Sequence, residues 1–102
     1  MIRILLVDDH TVMRTGLRAL LDRRPEFQVT GEAGNGREAL TAAESLSPDV
    51  IVMDIAMPLL NGIEATRQIT ARWPNMAVVI LSMHSDEGYL LKALKAGARG
   101  YL

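Results

Sequence analysis

The chain has no cysteine in its 102 residues. That excludes a disulfide scaffold, a thiolate metal site and a cysteine nucleophile together, and it fits a reducing compartment. An excess of either charge is also missing: 11 Lys and Arg stand against 12 Asp and Glu, and the formal net charge of -1 gives the chain as a whole no attraction for nucleic acid. No uninterrupted apolar run approaches the ~20 residues that span a bilayer. The short run after Arg3, closed by Asp8-Asp9, is likewise too brief for a secretory-signal core. A soluble cytoplasmic protein with no membrane partner is the expectation. Glycine is absent from the first turn as well, so no phosphate-cradling loop follows the opening apolar run.

Hydrophobic residues make up 49% against 23% charged, enough for a core in one domain of this length. Four apolar runs recur at the spacing of βα units: Ile4–Val7, Phe27–Val29, Val50–Met53 and Ala77–Leu81. A fifth begins at Gly100-Tyr101-Leu102. The first, third and fourth are continuously apolar and rich in β-branched residues, as strands buried on both faces should be. The second carries Gln28, Thr30 and Glu32 and reads as an edge strand.

Between the runs the period becomes helical. Thr11 reads as an N-cap, followed by a stripe of Met13, Leu17, Leu20 and Leu21 that Pro25 closes. Arg37 to Leu46, Gly62 to Trp73 and Ser85 to Ala96 are the other helices, with Gly97 as a C′ residue. The alternation gives an α/β domain on a parallel sheet. With the second strand at an edge, a doubly wound sheet of order 2-1-3-4-5 follows, and ligands belong beyond the carboxyl ends of the first and third strands.

Asp8 and Asp9 follow the first strand and Asp54 follows the third, so three carboxylates converge on that point. Two unit charges ~4 Å apart repel by about 4 kcal/mol at an effective dielectric near 20. Such a cluster calls for a cation, and an open, all-oxygen donor set suits Mg²⁺. A lone aspartate at a strand end reads as a cap or turn residue; convergence is what points to function. Ser82, ending the fourth strand, either donates to a ligand at Asp54 or caps the next helix. His10 and His84 read as surface or supporting residues rather than metal ligands. Trp73 reads as packing, and Arg14, Arg18, Arg23 and Arg24 as a solvated basic face.

The segments Leu6-Val7-Asp8-Asp9-His10, Val52-Met53-Asp54-Ile55-Ala56-Met57-Pro58 with Asn61-Gly62, Leu81-Ser82, and Ala96 to Leu102 resemble the signature segments of response-regulator receiver domains. The match runs in order over essentially residues 1–102. Val7-Asp8-Asp9-His10, Gly31-Glu32-Ala33-Gly34-Asn35-Gly36 and Gly97-Ala98-Arg99-Gly100-Tyr101-Leu102 are similar to the NarL/FixJ (LuxR-type) subgroup. The resemblance implies a flavodoxin-like fold and a non-enzyme phosphoacceptor that assists its own phosphotransfer and dephosphorylation. It implies Asp54 as acceptor from a sensor histidine kinase, and Mg²⁺ held by Asp8, Asp9, Asp54 and the backbone carbonyl of Ala56. It implies Ser82 and Tyr101 as phosphate-switch residues, a homodimer on activation, and a helix-turn-helix domain beyond this chain that binds DNA.

One departure stands out: the family's lysine, three residues beyond the position of Tyr101, and its fifth helix lie past Leu102. A C-terminally truncated receiver is therefore expected, with Lys92 and Lys95 poor substitutes for that lysine by position. Three rivals compete. A haloacid-dehalogenase-type phosphatase needs an acid two residues after its nucleophile, where Ala56 stands. A nucleotide-binding module needs the missing glycines. A non-phosphorylated pseudo-receiver is the alternative: the acidic residues and Ser82 argue against it, and the missing lysine keeps it open.

Overall fold

The computed structural model describes residues 1–54, 61–81 and 96–101, with the side chains of 100 and 101 left aside. Five parallel strands form one sheet in the order β2-β1-β3-β4-β5. They are β1 (Ile2–Val7), β2 (Phe27–Ala33), β3 (Val50–Met53), β4 (Ala77–Ile80) and β5 (Gly100–Tyr101). The helices that lie wholly within the described residues are α1 (Thr11–Asp22), α2 (Gly36–Leu46) and α3 (Gly62–Arg72). Both the expected strand order and the edge position of the second strand are observed.

The two sheet faces bury different sets of residues. Leu5, Val7, Ile51, Met53, Val78 and Ile80 point to one side and pack on Ala39 and Ala43 of α2 and on Ile63, Ala65 and Ile69 of α3. Ile4, Leu6 and Val29 point to the other, where Leu17 and Leu21 of α1 cover them. In β1 and β3 this is the strict period-two alternation of a pleated strand. β2 breaks it. Ile4 pairs with Val29 but Leu5 pairs with Gly31, so Thr30 is an extra residue, a β-bulge. Its hydroxyl donates to the Ile4 carbonyl at 3.2 Å. Val29 and Ala33, four apart, would share a face in a regular strand; here Val29 packs under α1 and Ala33 in the α2–α3 core.

Local chemistry starts two helices in the same way. Asn35-Gly36-Arg37-Glu38 and Asn61-Gly62-Ile63-Glu64 place an asparagine at each N-cap, and its Oδ1 accepts from the glutamate N–H at 2.9 Å in both. Glu38 reaches back to accept from the Gly34 N–H at 2.7 Å, a variant of the capping box. Both glutamates also sit favourably in the first turn of the helix dipole.

The first helix departs from expectation. His10, not Thr11, occupies the N-cap, and no side chain caps it. The carboxylate of Asp8 accepts from the His10 N–H at 2.7 Å, an Asx-type bond that turns the chain before the helix begins. Of the expected stripe only Leu17 and Leu21 pack. Leu20 is 59% and Met13 37% exposed, because α1 lies along the β2–β1 edge and its contact strip is narrow. Trp73 is the C-cap of α3 and packs on the core, as expected.

The expected helix from Ser85 falls outside the described residues apart from its end. There Gly97 has φ +110°, the left-handed region, beyond Ala96. A Cβ at Gly97 would lie 2.6 Å from Thr70 Oγ1, the hydroxyl that donates to the Ala96 carbonyl at 2.9 Å. Gly97→Ala is therefore expected to lower unfolding stability by about 1–3 kcal/mol, read from urea denaturation. A loss within experimental scatter would show that the turn relaxes freely.

Candidate functional site

β1 and β3 are hydrogen-bonded neighbours at the centre of the sheet, in register up to Val7 opposite Met53. The next residue on each is an aspartate. Asp8 N–H donates to the Ala33 carbonyl at 3.0 Å and Asp54 N–H to the Val7 carbonyl at 2.9 Å, so sheet bonding fixes both backbones at the strand ends. Asp8 is buried, with 7% of its surface exposed, and the Asp54 side chain is 13% exposed. Asp9 is more open at 31%. One ligand atom from each of Asp8, Asp9, His10 and Asp54 lies within 4.8 Å of all the others.

The convergence read from sequence is thus observed, with one addition. His10 Nδ1 stands 3.0 Å from Asp8 Oδ1, 3.0 Å from Asp9 Oδ1 and 3.9 Å from Asp54 Oδ2. Its pKa is raised above the ordinary imidazole value, first by the hydrogen bond to Asp8, then by the charges of Asp9 and Asp8, and least by Asp54. The adjacent N-terminus of α1 adds positive potential to the same carboxylates.

A second feature was not anticipated. Arg14 and Arg18 were expected on a solvated face, but both reach Glu32 of β2, at 3.0 Å from Arg14 Nε and 2.7 Å from Arg18 Nη1. Arg14 also donates through Nη1 to the backbone carbonyls of Asp8 and, at 3.4 Å, Ala33. One guanidinium therefore ties α1 to the ends of β1 and β2 beside the acidic cluster. Arg23 and Arg24 are exposed, as expected.

Arg18, and then Arg14, hold the Glu32 carboxyl below its usual range. A depressed carboxylate pKa contributes stability that is complete above its unfolded value and lost as pH falls through its folded value. Glu32→Gln is therefore expected to remove part of the acid-side slope of stability against pH and to cost about 1 kcal/mol at neutral pH. Chemical denaturation from about pH 3 to 7 measures it. A slope identical to the parent chain would show that the clamp carries no net energy.

Of the other expected site residues, Ala56 and Ser82 lie outside the described residues, as does His84. Tyr101 pairs with Ile80 in β5, which places its backbone at the sheet edge. An open hollow of about 390 Å³ beside Trp73 and Asp49 lies at the amino-terminal ends of the strands, away from the acidic cluster.

Comparison with known proteins decides the family. The family model described as response regulator receiver domain matches residues 4–102. The chain belongs to the response-regulator receiver family. This receiver is 46% identical over 101 residues to the transcriptional regulatory protein DegU of Brevibacillus brevis, covering 99% of the chain and 43% of that protein. It is 41% identical over 99 residues to the nitrate/nitrite response regulator NarL of Escherichia coli K12, covering 97% of the chain and 46% of that protein. The receiver thus spans about half the length of these relatives. Among solved structures, a LuxR-family two-component response regulator from Aurantimonas sp. SI85-9A1 matches at TM-score 0.95 and 42% identity, covering 99% of this chain and 72% of that one. The response regulator domain of Thermotoga maritima CheB matches at 0.94 and 42%, covering 100% and 77%.

Two parts of the site differ in how far the sequence announces them. His10 was legible in the Asp8-Asp9-His10 triplet, because a carboxylate that accepts from the N–H two residues on brings that side chain beside it. The Arg14–Glu32 clamp was not legible, since it depends on the bulge at Thr30.

Proposed function

We propose that Asp54 accepts a phosphoryl group from a sensor histidine kinase. The observation that carries this reading is the convergence of Asp8, Asp9 and Asp54 at the ends of the two central strands. An O–P bond forms at an Asp54 carboxylate oxygen as the donor's N–P bond breaks, and the electron pair stays with the donor imidazole.

The donor set is rich in carboxylate oxygen, which fits a hard divalent cation. Asp8, Asp9, Asp54 and the Ala56 carbonyl would hold Mg²⁺. When bound, Mg²⁺ supplies neutralisation of the charge on the transferring phosphoryl oxygens. The chain itself does the positioning. Sheet bonds fix the Asp8 and Asp54 backbones, and Arg14 holds the Asp8 carbonyl so that the Asp8-Asp9 turn keeps its direction. Ser82 and Tyr101 answer the new phosphate, a local charge change acting on a two-state element.

In the whole protein the output is transcription control through a helix-turn-helix DNA-binding domain outside residues 1–102, with homodimerisation on activation. Its location is cytoplasmic, and among the described residues no helix is long and apolar enough to cross a membrane. The receiver turns over no external substrate beyond its own phosphotransfer and dephosphorylation.

Incubation with acetyl phosphate and Mg²⁺, followed by intact-mass analysis, tests the proposal. One phosphoryl adduct that EDTA prevents is the expected result. No adduct, on this chain and on a version extended through the family's lysine and last helix, would leave a pseudo-receiver interaction module.

A further inference from the structure

We propose that His10 supplies a nitrogen ligand to this site, so that it takes borderline divalent cations (Mn²⁺, Co²⁺, Ni²⁺ or Zn²⁺) through a mixed nitrogen–oxygen shell that Mg²⁺ does not use. The inference rests on the cation-binding reading of Asp8, Asp9 and Asp54 and adds to it a residue and a selectivity.

Geometry is the first support. Donors ~2.1 Å from an octahedral ion stand roughly 3.0 Å apart when adjacent and about 4.2 Å apart when opposite. His10 Nδ1 lies 3.0 Å from oxygens of Asp8 and Asp9 and 3.9 Å from one of Asp54, spacings that belong to one coordination shell. Chain direction is the second. The Asp8 carboxylate fixes the His10 N–H at 2.7 Å, and His10 is the N-cap from which α1 departs, so the residue is anchored at the rim of the cluster. Access is the third: the His10 side chain is 66% exposed, and an ion arriving from solvent meets the imidazole together with the more open Asp9.

Ligand chemistry then sets the preference. Imidazole suits the later first-row divalent ions, whereas Mg²⁺ selects oxygen donors and retains water. An all-carboxylate cluster would rank the ions by carboxylate affinity alone. Adding His10 raises the borderline ions selectively and leaves Mg²⁺ to the oxygens.

Two measurements test this at about pH 8, above the ordinary imidazole value. Binding of Mg²⁺ and of Ni²⁺ is titrated separately on the parent chain and on His10→Ala, His84→Ala and Asp9→Asn. In parallel, ¹⁵N spectra of histidine-labelled chain are recorded with Zn²⁺ and with Mg²⁺. The expected result is Ni²⁺ affinity about tenfold or more weaker in His10→Ala, a change of the size that perturbing a metal's ligand environment brings. Mg²⁺ affinity should stay within about twofold, and His84→Ala should match the parent for both ions. One His10 ring nitrogen should take a coordination shift on adding Zn²⁺ that Mg²⁺, which alters only the hydrogen bonds of His10 to Asp8 and Asp9, does not reproduce.

Unchanged Ni²⁺ affinity in His10→Ala, or a ¹⁵N response at His84 alone, would overturn the inference. It would fall by itself if Asp9→Asn still weakened both ions. If Asp9→Asn weakened neither ion, the cation-site reading beneath it would fall as well.

Discussion

Asp54→Asn is expected to abolish the phosphoryl adduct. Asparagine keeps the shape of the side chain, but its amide oxygen is too weak a nucleophile to form an acyl phosphate under these conditions. The change removes one of three converging negative charges, so the variant should unfold at least as late as the parent. That check separates loss of the acceptor from loss of the fold. Asp9→Asn keeps the acceptor and should slow adduct formation by roughly two to three orders of magnitude, the effect of removing one preorganised electrostatic group. Intact mass against time with acetyl phosphate and Mg²⁺ gives both numbers. An adduct on Asp54→Asn at a rate near the parent's would place the acceptor elsewhere and sink the assignment.

Ile51→Ala should have the largest effect on stability. Ile51 is fully buried on β3, the strand that carries Asp54, and belongs to the cluster shared with α2 and α3. β3 is paired on both sides, with β1 and with β4, so its backbone has little room to collapse into the space left behind. Truncation at such a site costs about 2–5 kcal/mol. Against a total of roughly 5–15 kcal/mol for a small domain, that removes a large fraction of the stability. Urea denaturation should show a lower midpoint with an unchanged slope. A cost below about 1 kcal/mol would mean that the core repacks around the truncation.

The architecture was legible because the central strands advertise their own burial. Ile4–Val7 and Val50–Met53 are continuous apolar runs of strand length, rich in β-branched residues and closed at once by aspartates. The aspartates were legible because a doubly wound sheet fixes in advance where strand ends meet. Side-chain partners distant in sequence were not legible. Arg14 and Glu32 are 18 residues apart, and nothing local states that they share a face. Leu20 failed for a related reason. Helical periodicity predicts which residues align, but the width of the buried strip is set by what α1 rests on.

The extra residue at Thr30 has a consequence for how this edge tolerates change. Outer strands commonly accept the gain or loss of a residue, since they have a neighbour on one side only. In β2 the irregularity acts as a parity switch. Everything before it is counted in one phase and everything after it in the other, and Glu32 falls under α1 only because the phase has been reversed. Deleting Thr30 would leave Val29 opposite Ile4, Gly31 opposite Leu5 and Glu32 opposite Leu6, so Glu32 would stay under α1; drawing Thr30 into the ladder opposite Leu5 would instead turn Glu32 toward α2, away from Arg14 and Arg18. In that slipped register Arg14 would lose its anchor, and the acidic turn would lose the brace that Arg14 provides, without any residue of the acidic cluster being altered. A deletion of Thr30 should therefore spare the site, whereas a one-residue slip of this edge should behave as a lesion of it.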